Sequence, residues 1–205
     1  MSAADLELLA AWRKGDAKAG NDLVKRHFGD LYGFFRNKLD GDVDDLIQST
    51  FLACVESRDR FREESSFRTY LFTIARHELY AAFRKRGQAK ADFATQSVDD
   101  LLGPQAAVST VLQARAERVL LLRALRRVPL DDQIALELYY WKGLKGREVA
   151  EVLGQPENTV RTRLRRARQR LEEEVRLLSN DAGLLESTID NFERWASSLR
   201  EQSDA

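Results

Sequence analysis

Proline is scarce. The 205-residue chain has three, so little in it forbids long uninterrupted helices. Valine, isoleucine and threonine never gather into alternating runs, which favours an all-α reading over any sheet. Histidines number two, His27 and His77, and the only cysteine is Cys54. No Cys/His spacing fits zinc, and no glycine-rich loop is built to cradle a phosphate. Cys54 has no evident activating base. The chain therefore offers no catalytic constellation, no metal site and no cofactor site. A lone cysteine cannot close an internal disulfide, which fits a reducing compartment. Cys54 reads as a small buried hydrophobe, with a redox role as the alternative. No apolar run reaches the roughly 20 residues that span a bilayer, and no signal-peptide h-region appears. A soluble, cytoplasmic protein without membrane insertion is expected.

What the chain has in quantity is charge. It carries 33 basic and 33 acidic residues, unevenly placed. Residues 40 to 57 hold five acids and no base, whereas residues 58 to 90 hold nine bases against four acids. Six arginines follow between Asn158 and Leu171 with no acid among them. Residues 177 to 205 return to acid, with six acids against two bases. An acid–base–base–acid order suggests separate faces for separate partners.

Periodicity supplies the elements. Leu6, Leu9 and Ala10 begin an apolar stripe that GDAKAGND interrupts. Leu23, Val24, His27, Phe28, Leu31, Phe34 and Phe35 resume it at helical spacing. A helix over Asp42 to Ser57 starts with stacked acids, which suit the positive end of the helix dipole. Its buried face is expected to be Leu46, Ile47, Thr50, Phe51, Cys54 and Val55. A further helix over Ser66 to Arg86 ends in a basic turn before Gly87, a standard stop. Residues 91–110, with Gly103-Pro104, read as a flexible linker. Beyond it, Leu112, Val119, Leu120, Leu122 and Leu125 predict one helix, and Asp132 to Tyr140 the next, capped by Pro129 and two aspartates. The expected architecture is two small helical domains, residues 1–90 and 111–176, and a C-terminal helical extension over 177–205.

The stretch LKGREVAEVLGQPENTVRTRLRRARQRL carries the sharpest signal. Val149, Ala150 and Leu153 stripe a short helix, and Gly154 permits a tight reversal. Pro156, Glu157 and Asn158 turn the chain into a second helix. There Val160, Leu164, Ala167 and Leu171 face inward, and arginines fill the rest of the wheel. Two short helices around a glycine turn, the second basic, make a helix-turn-helix. Asn158, Thr159, Arg161 and Thr162 would lie nearest base edges. Arg165, Arg166 and Arg168 would hold phosphates, which fix register. A merely solvated helix would mix signs to gain i, i+4 pairs; six arginines without an acid call for a polyanion.

Read outward from this motif, the chain resembles bacterial sigma factors of the extracytoplasmic-function group. VPLDDQIALELYYWKGLKGREVAEVLGQPENTVRTRLRRARQRLEE is similar to their domain for the minus-thirty-five promoter element. DVDDLIQSTFLACVESRDRF resembles the helix that grips the clamp helices of the RNA polymerase largest subunit. SFRTYLFTIARHELYAAFRKR resembles the helix that reads and melts the minus-ten element. LLAAWRKGDAKAGNDLVKRHFGDLYGFF matches the opening helices. The resemblance spans roughly residues 5 to 175 and implies a transcription initiation factor that binds core RNA polymerase and promoter DNA. Polymerase would be met at the clamp helices and the flap region.

On that resemblance, Asp44, Asp45 and Gln48 would pair with polymerase while Leu46 and Phe51 pack. Arg68, Arg76, His77, Tyr80, Arg84, Lys85 and Arg86 would serve the minus-ten element, where exposed bases stack on aromatics. Tyr70 and Phe72 are expected in the core. The family commonly has Trp where Tyr70 stands, Asn where His77 stands, Asp where Ala81 stands and Gly where Asn158 stands. The changes at His77 and Ala81 bear on sequence preference rather than on fold. An anti-sigma partner is common in the family, although no residue here points to one.

Leu185, Ile189, Phe192, Trp195 and Leu199 recur at helical spacing in the tail, beyond the family motifs. Three readings stay open for it: packing on its own domain, docking between the two domains with its acids near the arginines, or binding a partner. Two rivals to the main reading also remain. One is a stand-alone helix-turn-helix regulator that binds an operator as a dimer; the other is an interaction module that sequesters another factor.

Overall fold

The computed structural model describes residues 3–61, 65–85, 109–179, 183–184 and 187–188. All regular structure among them is helical: α1 (Ala3–Arg13), α2 (Ala17–Arg36), α3 (Asp44–Ser57), α4 (Phe67–Lys85), α5 (Ser109–Arg127), α6 (Leu130–Leu136), α7 (Gly146–Leu153) and α8 (Glu157–Leu178). The tail positions Leu185, Ile189, Phe192, Trp195 and Leu199, Arg86 and most of the expected linker lie outside the described residues. Two compact units form, Met1–Ala89 with Leu144–Glu157, and Lys90–Gly143 with Asn158–Ala205.

In the first unit, Asp16 starts α2 by accepting backbone N–H groups of Lys18 at 2.9 Å and Ala19 at 3.1 Å. This satisfies donors that have no partner inside the helix. One face of α2 then buries Ala19, Gly20, Leu23, His27, Leu31, Phe34 and Phe35. Gly20 is required there by Trp12 of α1, whose indole Nε1 would lie 2.5 Å from a Cβ at that position. α3 contributes Ile47, Thr50, Phe51 and Cys54 to the core, and α4 contributes Phe67, Leu71, Phe72, Ala75, Leu79 and Phe83. Phe34 sits between the rings of Phe35 at 5.5 Å and Phe72 at 5.4 Å. Edge-to-face and tilted ring packing of this kind stabilises beyond the area buried.

Two sequence expectations change here. Val55 is exposed rather than buried, because the side of α3 carrying Ile47, Thr50, Phe51 and Cys54 already fills the contact with its neighbours. Phe28, expected on the inner stripe of α2, is 44% exposed and stacks on the equally exposed Tyr32. His27, one residue earlier, takes the inner place.

His27 belongs to a small buried network. Arg26 Nη1 donates to Asp5 Oδ1 at 2.7 Å, and His27 Nε2 lies 3.3 Å from Asp5 Oδ2. Burial alone would raise the Asp5 carboxyl, but bonding to and the charges of His27 and Arg26 outweigh it and hold the group below its ordinary value. α1 is tied down at its other end by Arg13, which donates to the carbonyls of Arg58 at 2.8 Å and Phe61 at 2.5 Å.

Within the same unit α7 packs on α4. Glu148 joins them: its Oε1 accepts from the Ser66 hydroxyl at 3.2 Å and the Thr69 hydroxyl at 3.3 Å. Its Oε2 accepts the Lys145 backbone N–H at 2.8 Å, capping α7. Gly154, at φ 65, supplies the left-handed turn expected after α7.

In the second unit α5 buries Leu120, Leu121, Leu122, Ala124 and Leu125. Gln133, fully buried, donates Nε2 to the Val128 carbonyl at 2.8 Å and so closes the turn from α5 to α6. Pro129 is the N-cap of α6, with Asp131 and Asp132 in its first turn. The single helix expected to run to Tyr140 instead widens after Leu136 into a π-turn over Glu137–Trp141. α8 starts at Glu157, directly after Pro156, and buries Val160, Leu164, Ala167, Leu171 and Val175.

Gly20→Ala should lower stability by about 1–3 kcal/mol, the usual cost of overpacking, read as a shifted urea midpoint with an unchanged m-value. Because Asp5 is held below its unfolded value, its contribution is present above about pH 4 and lost as pH falls further. Asp5→Asn should therefore be less stable than the wild type at pH 7, by about 1 kcal/mol since Arg26 is exposed, read as a lower urea midpoint. The gap should close as the pH drops below about 4.

Candidate nucleic-acid interface

α8 offers a polar, basic outer face. Asn158, Thr159, Arg161, Thr162, Arg165 and Arg166 are all exposed. At 100° per residue, Thr162 points directly away from the buried stripe, and Asn158, Arg165 and Arg166 lie within about 60° of that direction. Arg161 and Arg168 lie on one flank. Arg163 and Arg170, two turns apart, lie on the other.

The flanks are not bare charge. Arg168 Nε donates to Glu172 Oε1 at 3.1 Å, one turn along the same helix. Arg163 Nη1 donates to Asp132 Oδ1 at 2.7 Å, and Arg170 Nη1 donates to Asp132 Oδ2 at 2.5 Å. The acid that the α8 stretch lacks is supplied by α6. An open cleft of about 480 Å³ runs beside this cluster, lined by Asp132, Asn158, Thr159, Thr162, Arg163, Arg166 and Arg170. Three of these carry groups that can donate to a phosphate or a base edge without breaking the Asp132 pairs, Asn158, Thr159 and Arg166; the Thr162 hydroxyl donates to the Asn158 carbonyl at 3.2 Å and offers its oxygen as an acceptor.

α4 presents a second basic surface. Phe72 is in the core, as expected, while Tyr70 is half-buried with its hydroxyl against Ser57. His77, Arg84 and Lys85 are exposed, and Tyr80 is half-exposed with the Arg76 guanidinium 5.0 Å from its ring centre. An arginine over a ring leaves both an aromatic face and a positive charge at the surface. Arg68 differs from its neighbours: its Nε donates to Asp30 Oδ2 at 2.9 Å, tying α4 to α2.

α3 presents a third surface. Asp44, Asp45 and Gln48 are exposed and Leu46 is half-buried, but Phe51 is only 9% exposed and belongs to the core. Leu52, 55% exposed, and Val55 accompany the acids instead. Asp45, Gln48, Leu52 and Val55 follow one another at i, i+3, i+7 and i+10. That spacing was visible in the sequence and places them on one stripe. The result is an apolar strip with acids at its start.

Cys54 is fully buried, and burial pushes its thiol up to about 12. No group of three His, Cys, Asp or Glu side chains is placed to hold a metal ion among those residues. No helix among them is long and apolar enough to cross a membrane.

Comparison with known proteins places these surfaces in context. The family profile "Sigma-70 region 2" matches residues 23–89, and "Sigma-70, region 4" matches residues 118–171. The chain is 27% identical over 183 residues to the ECF RNA polymerase sigma-E factor of Haemophilus influenzae, covering 85% of this chain and 96% of that protein. It is 29% identical over 182 residues to the sigma-E factor of Escherichia coli strain K12, covering 85% and 95%. Among solved structures it is similar to the sigma factor RpoE of Bartonella quintana, crystallised with the anti-sigma factor NepR. That match has 30% identity and a TM-score of 0.50, over 65% of this chain and 81% of that one. It also shares the fold of CnrH, solved with the cytosolic domain of CnrY, at 24% identity and a TM-score of 0.66, over 86% and 99%.

A buried thiol with so high a pKa should resist a disulfide reagent. Cys54 in the native protein at pH 8 should react at least about a hundredfold more slowly than in denaturant, followed as release of the coloured thiol product. Equal rates would place the side chain at the surface.

Proposed function

The chain belongs to the sigma-70 family, in its extracytoplasmic-function group, and from that premise we propose how its surfaces divide the work. As a member it is a transcription initiation factor that binds core RNA polymerase and directs it to promoter DNA. Residues 1–90 form the region 2 domain, residues 91–110 the linker, residues 111–176 the region 4 domain and residues 177–205 the extension.

The stripe on α3 meets core polymerase. Asp44, Asp45 and Gln48 supply charge and hydrogen bonds, and Leu52 and Val55 supply the apolar contact. Leu46 stands beside them, and Phe51 supports the helix from within. Charged groups around an apolar centre are the usual anatomy of a protein contact. The exposed end of α4 meets the minus-ten element: Arg84, Lys85 and Arg86 follow the backbone, and Arg76, His77 and Tyr80 offer a surface for unstacked bases. Arg68 serves this surface by holding α4 on α2. The outer face of α8 meets the minus-thirty-five element, with Asn158, Thr159, Arg161 and Thr162 at base edges and Arg165, Arg166 and Arg168 at phosphates.

One observation carries this reading: a single chain exposes both an acid-edged apolar strip on α3 and an outward arginine face on α8. A stand-alone regulator would need the second and not the first, and the region 2 match favours the polymerase-binding role. The chain contributes no catalysis of its own; RNA synthesis belongs to the polymerase it recruits, which places its work in the cytoplasm. The Bartonella relative is held by an anti-sigma factor, and a protein of that kind is the regulator proposed here. The extension at 177–205 is a further candidate contact for it.

Leu52→Asp tests the assignment, because Leu52 is exposed and the fold does not depend on it. Immobilised wild-type chain should retain core polymerase. The variant should bind about tenfold more weakly, the loss typical of a central apolar contact, with the melting temperature unchanged. Undiminished retention would remove α3 from the polymerase interface.

A further inference from the structure

The six arginines of α8 are not equivalent, and for two of them the difference is imposed by one residue outside the helix. Asp132 is 2% exposed and sits in the first turn of α6. Its two carboxylate oxygens each take one arginine, Arg163 at 2.7 Å and Arg170 at 2.5 Å. The two arginines are seven residues apart, roughly 10 Å along the helix axis. Two guanidinium groups rooted that far apart along the helix converge on one carboxylate, and the pair resists both rotation and sliding of α8. Arg163 and Arg170 are correspondingly engaged, and removing the acid would leave two positive charges beside a cleft that also holds Arg166.

We infer that Asp132 is a positioning residue for promoter recognition: it fixes the rotation of α8 and withholds Arg163 and Arg170 from the DNA backbone. This rests on the reading that the outer face of α8 meets DNA. Phosphate contacts raise affinity for every sequence alike, whereas discrimination comes from base edges. Two more arginines able to reach phosphates would therefore strengthen binding to every sequence without adding discrimination, which is carried by Asn158, Thr159 and Thr162. A helix able to rotate would also lose the register those three need. Asp132 acts through the arginines and touches no DNA itself.

The test uses the full chain bound to core polymerase. Its probes are a 30-base-pair duplex selected from a random library by the wild-type holoenzyme and a scrambled duplex of equal composition. Asp132→Asn keeps the side-chain shape and removes the charge. It should lower the selected-to-scrambled affinity ratio by about tenfold. It should also steepen the fall of log affinity with log salt by about 0.9 for each arginine released. Arg170→Gln, at a half-exposed position, serves if the first variant fails to fold. It should leave the salt slope as in the wild type, whereas Arg166→Gln should reduce it by about 0.9. Two results would overturn the inference: Asp132→Asn that melts lower yet keeps the wild-type ratio and slope, or Arg170→Gln that reduces the slope as much as Arg166→Gln. If Arg166→Gln leaves the slope untouched, α8 does not carry the DNA contact, and the inference falls together with the reading beneath it.

Discussion

Like charges on one helix repel, and α8 concentrates that problem. Six arginines within ten positions cannot be relieved by their own segment, which contains no acid. Relief comes from Asp132 on α6 and from Glu172 further along α8. The cost of burying Asp132 is offset only because both oxygens are bonded to guanidinium groups. Those bonds in turn decide which arginines point outward. The chemistry of the surface proposed to meet DNA is thus tied to a contact on its flank.

The same logic runs through the first unit. Arg68 looks like a DNA-binding residue by its place in a basic helix, yet it is bonded to Asp30 and braces α4. Arg26 is paired with Asp5, and Arg13 closes the carbonyls of Arg58 and Phe61. In each case a cation in a charge-rich sequence does structural work. The exposed cations that remain near the end of α4, Arg84 and Lys85, lie where a nucleic acid could be tracked. The apolar core built around Phe34, Phe35 and Phe72 holds α4 against α2.

How much of this was legible in the sequence depends on the distance over which each feature is encoded. Helices, caps and glycine turns are local, so α2, α3, α4 and the Gly154 reversal could be read directly, as could the inward stripe of α8. The assignment of Phe72 to the core followed from how commonly aromatic side chains are buried, and the same reasoning overshot for the half-buried Tyr70. Val55 and Phe28 were misplaced because an apolar residue at the edge of a stripe can face either way, and only the neighbouring helix decides. Phe51 was read from spacing as part of the buried face of α3 and from the motif as a polymerase contact; the helix uses it as core. The π-turn at Glu137–Trp141 left no periodic trace. Asp132 lies 31 and 38 residues from its partners, and Glu148 about 80 from Ser66 and Thr69. Pairings of that range are set by packing and not by pattern.

The most direct test of the central claim is footprinting of a selected promoter by core polymerase loaded with this chain. One lane would carry the wild type and another the double variant Arg165→Gln/Arg166→Gln. The account predicts two protected regions for the wild type. For the variant it predicts loss of the upstream region alone, with polymerase still bound to the chain. Equal upstream protection by both, or no protection by the wild type, would contradict it.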